Sequence, residues 1–402
     1  VEEGLQPATQ SDAFNWTKTW YPLSPVSYLD STKPNPLTIL GKRIVVWMDA
    51  KGKWRAAADA CPHRLAPLSI GTVAEDGTLV CRYHGWGFDS GGKCVKVPMA
   101  TSAEEESRMC QLKRSAVAVY PVKVRQGLLF VFPDDSFEAA LQAQATEPHV
   151  VPECDDVEWV MTVAPVGYEA SVENTFDPSH ASFLHHGIIK YSPERAEPMR
   201  LFAVKDGEIS GKGGFTLEHD GYDKGTSGME ATRHFVPPCS NTTTYKYTDG
   251  RVMTTQLYFV PCDPRTTRYI VNIGPSVNGK KKSKNRVASF FADVLHATFF
   301  NKIFGYRFQE QDLLAMRGQE QVLAERKGKA QYVLGTPSDA GVAAFRSWYY
   351  EHAGGGPDWP LSFEQVPPPS PDSAIYDRWA RHAKHCPKCR RALRGLSRFE
   401  TL

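Results

Sequence analysis

The sequence carries almost no net charge. Its 47 Lys and Arg residues stand against 45 Asp and Glu, a formal charge of +2. A chain built to hold nucleic acid would show a marked basic excess. There is no run of 18 uninterrupted apolar residues, so nothing here reads as a bilayer-spanning helix. The opening Val1-Glu2-Glu3 lacks the basic and apolar stretches of a signal peptide. Cysteine is sparse and its count, nine, is odd, which does not fit a fully paired disulfide scaffold. No internal repeat is visible. What is present is ordinary for a globular chain: 41% apolar and 23% charged over 402 residues. That suffices for a sizeable core and two or three domains.

The first third reads as β-rich. Arg43-Ile44-Val45-Val46-Trp47-Met48 is a β-branched run closed by the turn signal Asp49-Ala50-Lys51-Gly52, and Leu128-Leu129-Phe130-Val131-Phe132 is closed by Pro133-Asp134-Asp135. Glycines at 71, 77, 85, 87, 91 and 92 predict tight loops between them. Residues 134–156 read as a polar linker. From about 157 to 350, strand-like runs (Tyr258-Phe259-Val260, Tyr269-Ile270-Val271) alternate with helical stretches. One helix is expected to begin near Asp177-Pro178. Another stretch covers about 288–326, broken near Gly305. Its apolar opening, 290–300, is expected to pack in the core although Asp293 and His296 interrupt it; membrane contact is the alternative. Residues 353–373 are rich in Gly and Pro, as linkers are. A basic tail follows, with no acid between Asp377 and Glu400.

Two groups of residues carry chemistry. The first is Cys61-Pro62-His63, then 17 residues, then Cys81-Arg82-Tyr83-His84. Two thiolates and two imidazoles suit a tetrahedral zinc. They equally suit a [2Fe-2S] cluster with Cys on one iron and His on the other, the Rieske arrangement. Zinc boxes usually pair like ligands, C-x2-4-C or H-x3-5-H, whereas here each loop offers one of each type. Neutral His ligands raise the cluster's potential, so it can accept an electron from a ferredoxin-type donor.

The second group is Asp177-Pro178-Ser179-His180 followed by His185. Two imidazoles and a carboxylate form the facial triad of non-haem Fe(II) oxygenases, which leaves positions open for dioxygen. Residues five apart lie about 140° apart on a straight helix. The two rings can face one metal only if the helix ends or bulges between them. Asp177 is also a good N-cap and Pro178 a good first residue for a helix. A third ligand is expected to be a distant carboxylate, Asp312 or Glu310 in Glu310-Gln311-Asp312, and His186 competes with His185.

Both groups, in this order, resemble the α subunit of Rieske non-haem iron oxygenases over residues 15–350. Within that family the chain is similar to the plant and algal pheophorbide a oxygenase group. The resemblance rests on Trp20-Tyr21-Pro22, Cys61-Pro62-His63-Arg64-Leu65-Ala66-Pro67-Leu68-Ser69, Tyr83-His84-Gly85-Trp86, Gly127-Leu128-Leu129-Phe130-Val131, Asp177-Pro178-Ser179-His180, Gly318-Gln319-Glu320 and the C-terminal Cys386-Pro387-Lys388-Cys389. It implies an α+β fold: a β-rich Rieske [2Fe-2S] domain at 15–135, a helix-grip antiparallel-sheet catalytic domain with mononuclear iron at 136–352, and a linker with a basic C-x-x-C tail at 353–402. It implies Cys61, His63, Cys81 and His84 as cluster ligands. It selects His180, His185 and Asp312 for a mononuclear Fe(II), and Asp177 as the electron bridge between subunits of a head-to-tail homotrimer.

The activity so implied is a ferredoxin-dependent monooxygenase inserting oxygen from O2 into a chlorophyll-derived tetrapyrrole in chlorophyll breakdown. Pheophorbide a, opened at its macrocycle, is favoured over protochlorophyllide or a linear chlorophyll catabolite. Phe176, Phe183, Phe215, Phe291 and Phe299 are candidates to line the pocket. A redox-sensing translocon-associated envelope protein is the rival from another class. In the tail, Cys386 and Cys389 are expected to form a redox switch read by thioredoxin, helped by Lys388, Arg390 and Arg391. The alternative, zinc held by His382, His385, Cys386 and Cys389, looks cramped. Eight Lys or Arg between 378 and 398 are expected to form a solvated basic helix or a contact with anionic lipid. The resemblance also implies a chloroplast setting and a membrane anchor beyond the C-x-x-C. No such anchor lies in this sequence, so the chain itself is expected to be soluble.

Overall fold

A β-branched run stays extended when its neighbours can cover it, and Val45, Val46 and Trp47 are covered completely. They lie in Lys42–Met48, which pairs with Asn35–Ile39 on one side and Trp54–Ala58 on the other, with Val119–Tyr120 beyond. Asp49 closes the turn by accepting from the N–H of Lys51 and Lys53. A second sheet joins Tyr21–Pro25, Leu128–Val131 and Val122–Arg125. A third consists of four very short strands, Thr72–Val73, Leu79–Val80, Gly87–Phe88 and Cys94–Lys96. The computed structural model describes residues 12–152, 157–188, 191–200, 202–272, 286–299, 308–326, 332–360 and 365–399.

The chain divides into two compact units, 17–149 and 1–16 with 150–402. In the first, helix α1 (Ala103–Gln111) is capped by Ser102 and has three glutamates in its first turn, where the helix dipole favours negative charge. Helix α2 (Phe137–Ala145) is capped by Ser136 and buries Ala139 and Ala143, one turn apart. The linker expected at 134–156 is therefore corrected: a cap followed by a periodic apolar stripe makes much of it a helix.

The second unit is built on a seven-stranded antiparallel sheet in the order Trp159–Ala164, Thr266–Asn272, Val252–Asp263, Ser240–Lys246, Glu230–Val236, Gly214–His219, Phe202–Ser210. The last six run as a meander, and the first strand returns beside the final one. Strict alternation puts Phe215, Leu217 and His219 on the buried face, opposite Phe235, Arg233 and Ala231. Helices α3 (Tyr168–Thr175) and α4 (Ala181–Leu184) follow the first strand. After the meander come α5 (Arg286–Thr298), α6 (Glu310–Glu325), α7 (Ala340–Ser347), α8 (Asp372–Tyr376) and α9 (Pro387–Phe399). The stretch expected at 288–326 thus holds two helices; the break near Gly305, and Cys154, lie outside the described residues.

The helices close over an aromatic core in which Phe176 meets Phe215, Phe235 and Phe345 at 5.3–6.3 Å between ring centroids. Phe176 and Phe215 are therefore core residues, not pocket lining, because the period-2 pattern aims Phe215 at the helices. The core expected for 290–300 is corrected as well. Only one face of α5 packs; Phe291, Leu295 and Phe299 are exposed. The Gly- and Pro-rich segment is followed by ordered helices that belong to the second unit.

Packing of α7 on this core is close enough to require glycine at 341, where a Cβ would lie 2.3 Å from the Phe176 carbonyl oxygen. Because the obstacle is backbone, Gly341→Ala is expected to cost about 1–3 kcal/mol. The measurement is the shift of the urea unfolding midpoint; an unchanged midpoint would show that α7 docks differently.

Candidate metal centres

In the 17–149 unit the two Cys and His loops share a backbone plan. The N–H of Cys61 donates to Ala66 O and the N–H of Leu65 to Cys61 O. The N–H of Cys81 donates to Trp86 O and that of Gly85 to Cys81 O. Each knuckle turns back through a left-handed residue, Leu65 (φ 59) and Gly85 (φ 73). Gly85 has a second reason to be glycine, since a Cβ would meet Pro98 at 2.9 Å.

This plan sorts the ligands by polarity. Cys61 and Cys81 are 2% exposed and join a core of Val45, Trp47, Leu68, Leu79, Trp86 and Phe88. His63 is exposed and His84 half-buried, their rings 4.6 Å apart, with Trp86 stacked on His63. Thiolates inside and imidazoles at the surface fit a [2Fe-2S] cluster with a distinct ligand type on each iron. Burial, with the neighbouring Cys81 thiol, pushes the Cys61 thiol up to about 11, a cost that bound cations would reverse. Cys94 belongs to this core and Cys110 packs against it, their sulfurs 3.1 Å apart.

In the second unit, Asp177 caps a short 3-10 turn, Pro178–His180, by accepting from Ser179 N and Ser179 Oγ. Helix α4 then runs for only four residues, and His185 stands just past its end. The helix does stop between the two histidines, and both rings turn to one point. His180 Nε2 lies 3.3 Å and His185 Nε2 3.2 Å from the same oxygen, Asp312 Oδ1. Bonds of about 2.1 Å meeting at right angles put donors about 3.0 Å apart, and both nitrogen–oxygen edges are close to that spacing. Gln311 Oε1 accepts from His185 Nδ1 at 3.0 Å, which leaves Nε2 as the ring atom that could take a metal. Phe308 stacks on His185 at 3.8 Å.

Glu310 is not in this group. It takes a bidentate contact from Arg378 at 2.6 and 3.1 Å. Asp312 is placed by α6, which lies antiparallel to α3 and grips both its ends. Asn174 Nδ2 contacts Asp312 Oδ1 at 3.5 Å, and the N–H of Gly167 donates to Glu320 Oε1 at 2.7 Å. From the sheet, Arg233 donates to the Thr175 carbonyl and to His219 Nε2. His219 donates from Nδ1 to Asp220 O, and burial with the adjacent guanidinium lowers it to about 4.

A third group was legible only in part. His296 of α5 joins His382, Cys386 and Cys389, with one ligand-capable atom of each within 4.8 Å of all the others. His385, expected among them, is not. Cys386 and Cys389 are not joined in a disulfide, and each is 1% exposed. The Cys386 thiol is held far below its ordinary range by Cys389 and, against burial, by His296 and His382. Lys388 is engaged with Glu158, and Arg391 with Asp293. With Arg378 and Arg381 both turned to Glu310, the solvated basic helix is corrected: four of its cations have acidic partners within the fold.

Burial alone would lower His180, but Asp177 and Asp312 outweigh it and raise it to about 9. Burial would raise Asp312, but the two histidines hold it below the usual carboxylate range. Near neutral pH the metal-free site therefore carries a proton on His180 and none on Asp312, and an incoming metal must displace that proton. Ferrous binding to the iron-free protein is expected to release close to one proton near neutral pH, fading as pH rises past about 9. An indicator-dye titration checks this; no release at neutral pH would mean the ring is already neutral.

Comparison with known proteins agrees with both halves. A family profile described as "Rieske [2Fe-2S] domain" matches residues 19–121, and one described as "Pheophorbide a oxygenase" matches 235–330. Pheophorbide a oxygenase, chloroplastic, of Oryza sativa subsp. japonica is 31% identical, covering 99% of this chain and 77% of that protein. Flavonoid 8-hydroxylase 2, chloroplastic, of Ocimum basilicum is 29% identical over 99% of this chain and 78% of its own length. Protein TIC 55, chloroplastic, of Arabidopsis thaliana is 26% identical over 97% and 75%. Among solved structures, dicamba monooxygenase bound to dicamba shares the fold with a TM-score of 0.61 at 19% identity, covering 85% of this chain and 98% of that one. On sequence likeness across nearly its whole length, the chain belongs to the pheophorbide a oxygenase family of Rieske oxygenases.

Proposed function

We propose that the protein is a ferredoxin-dependent monooxygenase acting on a chlorophyll-derived tetrapyrrole, with pheophorbide a as substrate and opening of its macrocycle as outcome. The observation that carries the reading is the meeting of His180, His185 and Asp312. A redox sensor or translocon component has no use for a buried set of two imidazoles and a carboxylate, the donor set of non-haem Fe(II) oxygenases. Two relatives at 30% identity or more across nearly the whole of this chain are named pheophorbide a oxygenase.

In this reading Cys61, His63, Cys81 and His84 hold the Rieske cluster, and His180, His185 and Asp312 a mononuclear Fe(II). When bound, these groups supply electron storage and dioxygen activation. The chain's own residues orient them. Gln311 fixes the His185 tautomer, and Asp177 stands behind His180 with Oδ2 3.7 Å from Nδ1. Asp177 is also the residue through which subunits of a homotrimer would couple. Residues 15–135 serve as the electron-accepting part and 136–352 as the oxygen-inserting part. The relatives' names support a chloroplast setting. Among the described residues no helix is long and apolar enough to cross a membrane. A second reading, hydroxylation of a flavonoid, is favoured by the Ocimum basilicum relative, which is nearly as similar.

The test is incubation with reduced ferredoxin, isotope-labelled dioxygen and a panel of pheophorbide a, protochlorophyllide, a linear catabolite and a flavone. Label in the pheophorbide product is expected. Label only in the flavone would support the second reading, and label in no product would overturn the oxygenase assignment. Asp177→Asn is expected to keep iron and sulfide content while turnover falls about 10–100-fold; undiminished turnover would remove Asp177 from the machinery.

A further inference from the structure

We propose that His296, His382, Cys386 and Cys389 bind a structural zinc ion that fastens the C-terminal hairpin of α5 and α9. The four side chains come from three elements. His296 lies on α5, His382 on the turn spanning Trp379–Ala383, and the cysteines at the start of α9. A tetrahedral zinc with bonds of about 2.0 Å to nitrogen and 2.3 Å to sulfur sets its ligand atoms about 3.3–3.8 Å apart. His296 Nε2 lies 3.4 Å from Cys386 Sγ, which matches a nitrogen–sulfur edge, and all four atoms fall within 4.8 Å of one another.

The surroundings select the ion. His382 Nδ1 lies 2.9 Å from the backbone carbonyl of Met161. A carbonyl only accepts, so Nδ1 carries the hydrogen and Nε2 keeps a lone pair for a metal. Two thiolates, two neutral imidazoles and a doubly charged cation sum to zero, so the closed group buries no net charge. The four donors leave no open position, as in structural zinc sites.

The hairpin also needs such a tie. Among the described residues, the buried ones just before and along α9 are Cys386, Cys389 and Ala392, three small side chains that bury little apolar area. Further along, Gly395 lets Phe290 approach so closely that a Cβ would fall 2.3 Å from its ring. Between these points Arg391 clamps Asp293 at 2.8 and 3.0 Å. The contacts 290 with 395, 293 with 391 and 296 with 386 therefore run in antiparallel register, with the four-donor group at one end. A thioredoxin-type switch at the same cysteines would need sulfurs that a partner can reach, and both are covered.

The experiment is metal analysis of the whole protein purified without chelators. One zinc per chain is expected beside about three irons and two sulfides, with sulfur in the zinc coordination shell by X-ray absorption. That sulfur excludes zinc lodged at His180, His185 and Asp312, which offer none. Cys389→Ser and His296→Ala are expected to lose the zinc. Should these variants fail to fold, mercurial titration of the wild-type protein is expected to release one zinc as two thiols react. Absence of stoichiometric zinc, zinc without sulfur ligands, full retention in both variants, or a Cys386–Cys389 disulfide in the purified protein would each overturn the proposal. Because the readout is metal content, it is independent of the substrate assigned above.

Discussion

A carboxylate as deeply buried as Asp312 persists only where nearby groups answer its charge. Here two imidazoles face one of its oxygens at 3.2 and 3.3 Å. Without them burial would drive the group toward the neutral acid, and with them it stays ionised and ready for a cation. Contacts from α3 and from the tail to α6 keep that oxygen in place. The rings approach because the helix carrying His180 stops after four further residues, and the oxygen approaches because α6 is held at both ends.

That hold is distributed along α6. Its C-terminal part receives the Gly167 N–H through Glu320, and so fixes the start of α3. Its first turn is gripped from the tail, where Arg378 and Arg381 reach Glu310 and Arg381 also donates to Gln309. Gln309 in turn donates to Thr162 on the edge strand. Gln311 and Asp312 thus leave a helix end whose neighbouring polar side chains are paired. Truncating one member of a buried charged pair leaves the other uncompensated, which is why these contacts govern the metal group without touching it.

How far the sequence could be read depended on the distance between partners. The Cys61 and Cys81 loops were legible because each is a local motif, and the capping chemistry of Asp177-Pro178 was legible for the same reason. Asp312 could not be told from a solvated helix charge until a family resemblance selected it, since its partners lie far back in the chain. His296 was read only as an interruption in an apolar helix, because Cys386 is 90 residues away. A His three residues after an Asp, both inside an apolar run, was the available signal. The tail arginines read as solvated for the same reason: Glu310 lies 68 residues from Arg378. Phe176 and Phe215 were given to a pocket because aromatic residues near a metal motif look alike whether they line a cavity or fill a core. Only the sheet register separates the two.

The contacts of Arg378 and Arg381 with Glu310 have a consequence for how the protein comes apart. Elements joined by shared buried pairs tend to open together as one cooperative unit. The tail holding Cys386 and Cys389 and the turn presenting Asp312 are joined in this way, so one local opening equilibrium governs both. Amide exchange at the base of α6 and at the start of α9 would then follow a single protection factor. Oxidative capture of the thiols in the open state would be felt as loss of the iron ligand, although no iron ligand had itself been modified.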